Sequence, residues 1–231
     1  MNWERAALID SKELTPRIKS LTFVIENYQP HRAGQFYEIS IDGGQTSRCY
    51  SLASAPEKTD GLEFGVELID GGQVSTPLHK LVAGDTVHVN GPQGLEMFTW
   101  GYQQAGDLVL IGGGSGMVPL MAMLRHHIAH REFTPRTVVV IACAPTLEDL
   151  PYHDELATAA EDCNIIYYPV HPGSIYSSRL SDENITAWLQ PARINNGHCY
   201  ICGSIQFTNS ISEIIATIPM TNLTLHREYF G

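Results

Sequence analysis

Residues Leu108–Leu124 read LVLIGGGSGMVPLMAML, an apolar run, a cluster of glycines and a second apolar run at helical spacing. That order of textures constrains the fold more than any other stretch of the chain. Gly112, Gly113, Gly114 and Gly116 stand between a strand and an amphipathic helix, where glycine lets backbone N–H groups approach an anion and the helix dipole favours its negative charge. The turn is not a P-loop, because no lysine follows the glycines. It also departs from GxGxxG, since Pro119 takes the last position.

From about Gly106 onward strands and helices alternate: DLVLIGG, MVPLMAMLRHHIAHR, TVVVIAC, LPYHDELATAAE, NIIYYPV, HCYICG and SIQFTNSISEIIATI. Runs such as VVVIAC are apolar throughout, as expected of strands covered by helices on both faces of a parallel sheet, so this half reads as α/β. The first hundred residues differ. They hold short strand-like runs, RIKSLTFVI, QFYEISI, RCYSLAS, GLEFGVELI and DTVHVNG, separated by turn residues, the pattern of a small β-barrel or sandwich. One short helix is expected at VSTPLHKLV, capped by Ser75 or Thr76 with Pro77 near its first turn. The boundary is placed in the polar stretch between Tyr102 and Gly106, giving domains 1–103 and 104–231.

Composition limits the partners. With 43% hydrophobic and 17% charged residues the chain is an ordinary globular protein, and its formal net charge of -11 with only 14 Lys and Arg argues against nucleic acid or an anionic membrane. The N-terminus lacks an apolar stretch of signal length and no run is long enough to span a bilayer, so a cytoplasmic protein with reduced thiols is expected. Cys199 and Cys202 form a CxxC, but an apolar strand would send them to opposite faces. The histidines, with His126 and His127 adjacent on a helix, show no metal-ligand spacing and are expected mostly at the surface; no metal site is expected.

Six segments in fixed order carry a family pattern: RCYS at Arg48–Ser51, GGQVSTPLH at Gly71–His79, GPQG at Gly91–Gly94, GGGSGMVP at Gly112–Pro119, YICGS at Tyr200–Ser204, and REYFG at the end. Together they resemble the ferredoxin–NADP reductase superfamily over nearly the whole chain. The resemblance implies an antiparallel FAD-binding β-barrel followed by a Rossmann-like parallel-sheet NAD(P)-binding domain. It implies an NAD(P)H-dependent flavoprotein reductase that passes electrons from FAD to a separate acceptor.

The same resemblance assigns roles. Arg48 would pair with a flavin phosphate, Tyr50 would lie against the isoalloxazine, and Ser51 would sit near the flavin N5 that receives hydride. Gly72, Val74 and Ser75 would offer backbone N–H groups and a hydroxyl to the FAD pyrophosphate, and Gly91 and Gly94 would make a tight turn below the flavin. Gly113, Gly114, Gly116 and Pro119 match the nucleotide pyrophosphate turn. Cys202 and Gly203 match the pair facing the nicotinamide, and Glu228 and Phe230 match a carboxylate and aromatic near the flavin. Ser51, Cys202 and Glu228 are thus the candidate catalytic residues.

Departures from the pattern bear on the reductant. Ala144 replaces a common arginine and His171–Gly173 replaces a Ser-Arg pair, while Arg179 survives as a partner for a 2′-phosphate, so either NADH or NADPH remains, with NADH favoured. No Cys-x4-Cys-x2-Cys set of an iron–sulfur domain is present. Three acceptors follow: a ferredoxin or flavodoxin met by a local basic patch such as Arg17, Lys19 and Arg32; a free flavin or other small molecule; or a larger complex in which the chain is an electron-transfer subunit.

Overall fold

The computed structural model describes residues 2–94, 96–133, 136–175, 180–190, 192–194, 196–218 and 222–230. The chain divides into two compact units, one of residues 1–101 and 121–129, the other of residues 102–120 and 130–231. The first contains β1 (Glu4–Glu13), β2 (Ile18–Ile25), β3 (Phe36–Ser40), β4 (Ser47–Ser51), β5 (Leu62–Glu67), the one-turn helix α1 (Ser75–Leu78) and β6 (Thr86–Gln93). They form an antiparallel sheet in the order β4-β3-β6-β1-β2-β5. An antiparallel bridge between Leu52, just past β4, and Phe64 of β5 joins the two ends, so the sheet closes on itself as a barrel.

The inward set follows the period of two: Ala6 and Leu8, Leu21 and Phe23, Tyr37 and Ile39, Leu62, Phe64 and Val66, Val87 and Val89 are buried in one core. A bulge at Ile9 shifts the β1–β2 register between Leu8 and Asp10, and the strand beyond it faces solvent. Phe64 sits centrally, edge-on to Phe23 at 6.0 Å and to Tyr37 at 5.7 Å.

The second unit starts with β7 (Asp107–Gly113) and continues through α2 (Met117–His130), β8 (Val138–Cys143), α3 (His153–Asp162), β9 (Ile165–Val170), α4 (Asp182–Leu189), β10 (Asn196–Ser204), α5 (Ile205–Thr217) and β11 (Asn222–Phe230). All strand pairs are parallel, in the order β11-β10-β7-β8-β9. Leu108, Val109, Leu110 and Ile111 of β7 and Val138–Ala142 of β8 are all buried, which requires cover on both faces. Strand order reverses between β7 and β10. In doubly wound sheets that switch point opens a crevice beyond the carboxyl ends of the strands.

Helix α2 is not the amphipathic helix its spacing predicts. Met117, Val118, Leu120, Met121, Ala122, Met123 and Leu124 are all buried, so its first two turns are apolar around the whole circumference. Its Met121–Ala129 portion belongs to the first unit, where Arg125 donates to the Ala53 carbonyl at 2.9 Å and to Glu63 at 2.8 Å, and His126 pairs with Glu57 at 2.7 Å. Both members of the Arg125–Glu63 pair are largely buried, a setting in which removing one partner is costly.

Phe64→Ala deletes the ring at the barrel's centre and should lower stability by about 3–5 kcal/mol, read as a fall in the denaturation midpoint at unchanged slope. A loss under about 1 kcal/mol would mean that the core is not packed around this ring.

Candidate functional site

In the first unit, β4 pairs with β3 so that Arg48 stands opposite Ile39 and Tyr50 opposite Tyr37. Period-two alternation places Arg48 and Tyr50 on one side of the strand, a cation and an aromatic one step apart. Arg48 is exposed and its guanidinium donates to the Ser47 carbonyl at 2.7 Å; among the described residues no carboxylate forms an ion pair with it. An open guanidinium of this kind fits a phosphate. Tyr50 packs against the barrel core, and burial pushes its phenol up to about 12. Ser51 is buried at the strand's end opposite Phe36.

Two first-unit expectations need correction. GPQG is no tight turn: Gly91, Pro92 and Gln93 lie within β6, and a Cβ on Gly91 would come within 2.5 Å of the Tyr37 ring. Its glycine serves a close strand-to-ring approach. Nor does Ser75 cap α1, whose N-cap is Val74 without a side-chain bond. The Ser75 hydroxyl instead receives the Ile69 N–H at 3.1 Å, and the Gly72 N–H donates to the Ile69 carbonyl at 2.8 Å. The groups at this turn suited to a pyrophosphate are therefore the first-turn N–H groups of Val74 and Ser75, which have no intrahelical acceptor.

The second unit builds its site at the switch point. Gly112 of β7 pairs with Cys202 of β10, and the chain leaves β7 through Gly113, turns at Gly114–Gly116 and enters α2. A Cβ on Gly116 would overlap the Cys202 carbonyl and approach the Gly203 nitrogen at 2.7 Å, so the turn lies directly on the end of β10. Gly114 adopts φ +52° with nothing within 4 Å of its Cβ position, which leaves open backbone where an anion can approach. Pro119 occupies the first turn of α2, where its missing N–H costs no helical bond.

Cys202 is buried, and burial, reinforced by Glu228, raises its thiol well above the ordinary value, so the thiol stays neutral and supplies bulk rather than a nucleophile. Cys199 faces the opposite core, as the strand period requires. Glu228 pairs across β10–β11 with Cys202 itself. Burial lifts its carboxyl to about 7, and its Oε2 is buried with no hydrogen-bond partner. Phe230, one step beyond on the same strand side, is half-buried. Arg179 lies outside the described residues. Phe207 escaped the sequence reading: its ring lies against both Gly113 and Gly203, and its N–H is held by Ser204, which caps α5. The signal was present in the Ser204 cap followed three residues later by an aromatic residue.

The expected basic patch is neutralised. Arg17 pairs with Asp70 at 3.3 Å, Lys19 with Glu13 at 4.0 Å and Arg32 with Glu96 at 3.0 Å. The histidines also differ from expectation, since none of the ten is exposed and His31, His126 and His127 are buried. His126 and His130 stand one turn apart on α2, a spacing that does suit a helical ligand pair.

Gly116→Ala should abolish nucleotide binding, measured by loss of saturation in an NADH titration, while the fold persists by far-UV circular dichroism; unchanged affinity would show that the turn yields freely. Glu228 supplies a pH test. Its folded pKa lies above the unfolded one, so the folded state holds the proton more tightly, and stability falls as pH rises from about 4.5 to 7. The loss amounts to about 3 kcal/mol. Thermal melts of Glu228→Gln should lack this decline, and a parallel decline in both proteins would assign it to other groups.

An oxidoreductase FAD-binding domain model matches residues 5–98 and an oxidoreductase NAD-binding domain model residues 110–213. Ferredoxin–NADP reductase B of Sorangium cellulosum is 30% identical over 226 residues, covering 90% of this chain and 89% of that protein. The reductase component of phenol 2-monooxygenase from Pseudomonas sp. is 38% identical over 120 residues, 52% of this chain but only 33% of that protein. The chain spans about a third of the length of that monooxygenase reductase and about two-fifths of that of the propane 2-monooxygenase reductase component of Gordonia sp.. Among solved structures, the FAD/NAD-binding domain of nitric oxide dioxygenase from Vibrio cholerae superimposes with a TM-score of 0.83 at 19% identity, covering 99% of this chain and 98% of that one. A ferredoxin NADP+ reductase from Neisseria gonorrhoeae with bound FAD and NADP gives 0.78 at 20%, covering 98% and 99%. With its closed antiparallel barrel, its switch-point glycine turn and a relative matched over nine-tenths of its length, this chain belongs to the ferredoxin–NADP reductase family.

Proposed function

We propose that the chain is an NADH-dependent flavoprotein reductase that delivers electrons singly to a separate protein acceptor. The observation carrying this reading is that each unit carries groups suited to a nucleotide: the Arg48–Tyr50 strand in one, and in the other a glycine turn whose backbone is open at Gly114. Arg48 holds a flavin phosphate, the first-turn N–H groups at Val74 and Ser75 receive the pyrophosphate, and Tyr50 offers a flat, neutral surface to the isoalloxazine. Ser51 stands at the strand end with a side chain small enough for a hydride donor to approach. Bound FAD supplies an acceptor for hydride that releases electrons one at a time.

In the second unit Gly113, Gly114 and Gly116 accommodate the pyrophosphate of NADH, with Pro119 holding the first turn of α2 behind them. Cys202 and Gly203 leave room for the nicotinamide, and Phe230 closes the edge beside them. Glu228, titrating near neutrality, exchanges a proton during turnover. The reductant follows from charge. Beyond the carboxyl ends of β8 and β9 the segments Ala144–Leu150 and His171–Ile175 contain Glu148 and Asp149 but no Lys or Arg, so a 2′-phosphate meets anions there. Arg179 is the one nearby cation in the sequence able to offset them. The protein acceptor is supported by the ferredoxin reductase and monooxygenase reductase relatives. The neutralised patch at Arg17, Lys19 and Arg32 favours the second reading, a small acceptor.

Arg48→Ala should weaken FAD binding by about 10- to 100-fold, the loss of a charged hydrogen bond, and NADH should exceed NADPH in kcat/KM by at least about tenfold. Steady-state oxidation of NADH with a ferredoxin, free FMN and ferricyanide decides the acceptor. Turnover with ferredoxin well above that with free FMN supports the protein acceptor, and the reverse order selects the small one.

A further inference from the structure

One face of the β10–β11 pair carries a row of proton-bearing groups, of which the proposed reaction uses only Cys202 and Glu228. Period-two alternation puts His198, Tyr200 and Cys202 of β10 on the face opposite Cys199 and Ile201, which are buried in the α4–α5 core. On β11 the same rule puts His226 and Glu228 opposite Leu223 and Leu225, which pack on that core. Tyr200 pairs with His226 across the strands and Cys202 with Glu228.

Three members of the row touch. His198 Nδ1 and His226 Nε2 lie 2.9 Å apart, so one imidazole donates to the other. The Tyr200 ring stacks on His226 with centroids 4.2 Å apart and planes 9° from parallel, which fixes the orientation of the imidazole. Tyr200 is itself hydrogen-bonded to Gln104, and Arg136 adds a positive charge near His198. Glu228, two residues beyond His226, is half-buried, and its Oε2 is buried and unpartnered. Two residues along a strand span about 7 Å, a separation that two side chains and one water bridge. His198, at the other end, is partly exposed. Burial, then His226 and Arg136, hold the His198 pKa below the ordinary histidine value, so its ring is neutral at pH 7 and able to accept a proton.

We propose that His226 and His198 form a proton relay between Glu228 and solvent. This rests on the one-electron reading above, in which NADH and two oxidised acceptors give NAD+, two reduced acceptors and one proton. That proton leaves by successive transfers: Glu228 carboxyl to His226, His226 to His198 across the 2.9 Å contact, and His198 to water. No bond other than these N–H and O–H bonds changes, and each imidazole returns to neutral. Tyr200 acts as a positioning residue through its stack.

Two measurements test it. In the full chain without flavin, histidine imidazole NMR should show His198 and His226 titrating as a coupled pair, with Glu228→Gln shifting the His226 midpoint; independent titrations, or a His226 curve indifferent to Glu228→Gln, overturn the relay whether or not the flavin reading holds. In the FAD-loaded protein, stopped-flow NADH oxidation by ferricyanide with a pH indicator should show His226→Phe, which keeps the ring stack, delaying proton release at least about tenfold behind ferricyanide reduction. Added imidazole should restore release. Proton release in step with ferricyanide reduction in His226→Phe, or a delay that imidazole leaves unchanged, contradicts the relay, whereas failure of NADH to reduce the wild-type flavin would instead overturn the underlying function.

Discussion

The contact on which the second unit depends is that of Gly116 with the end of β10. The chain leaving β7 turns into α2 directly above the Cys202 carbonyl, where even a methyl group does not fit. This close approach seats the start of α2 over the point where the strand order reverses. Met117–Leu124 then bury the helix on all sides, so the turn is held by packing rather than by a capping side chain. An anion approaching this turn would meet backbone and dipole rather than a lysine.

Around it the residues are tuned by burial. Cys202 is a thiol kept neutral, Glu228 a carboxyl lifted to about 7, and Phe207 a ring that sits over two glycines at the strand ends. In the barrel the logic is reversed. Arg48 remains exposed while its neighbour Tyr50 packs into the core, so one strand offers a mobile charge and a fixed ring.

Much of this was legible in the residues. The apolar runs at Leu108–Ile111 and Val138–Ala142 announce a parallel sheet, and the alternating runs before Tyr102 announce the barrel. Edges and exceptions were harder to read. In β1 only Ala6 and Leu8 point inward before the bulge at Ile9 breaks the period, and in β11 the inward positions are shared by leucines on one side and His226 and Glu228 on the other. Helix α4 is too short to show a repeat, although Ser181 caps it. GPQG has turn residues yet lies in a strand because Gly91 yields to the Tyr37 ring, and the patch at Arg17, Lys19 and Arg32 dissolved because its partners Asp70, Glu13 and Glu96 are brought up by the fold, two of them from more than 50 residues away in sequence. Charge along a chain is visible; its neutralisation in space is not.

Anaerobic titration of the purified, FAD-loaded chain with NADH, followed by flavin absorbance, tests the central claim most directly. One equivalent of NADH per flavin should bleach the yellow chromophore to completion, and Gly116→Ala should leave the flavin bound and oxidised. A chain that binds no FAD, or whose bound FAD keeps its colour under excess NADH, would contradict the account.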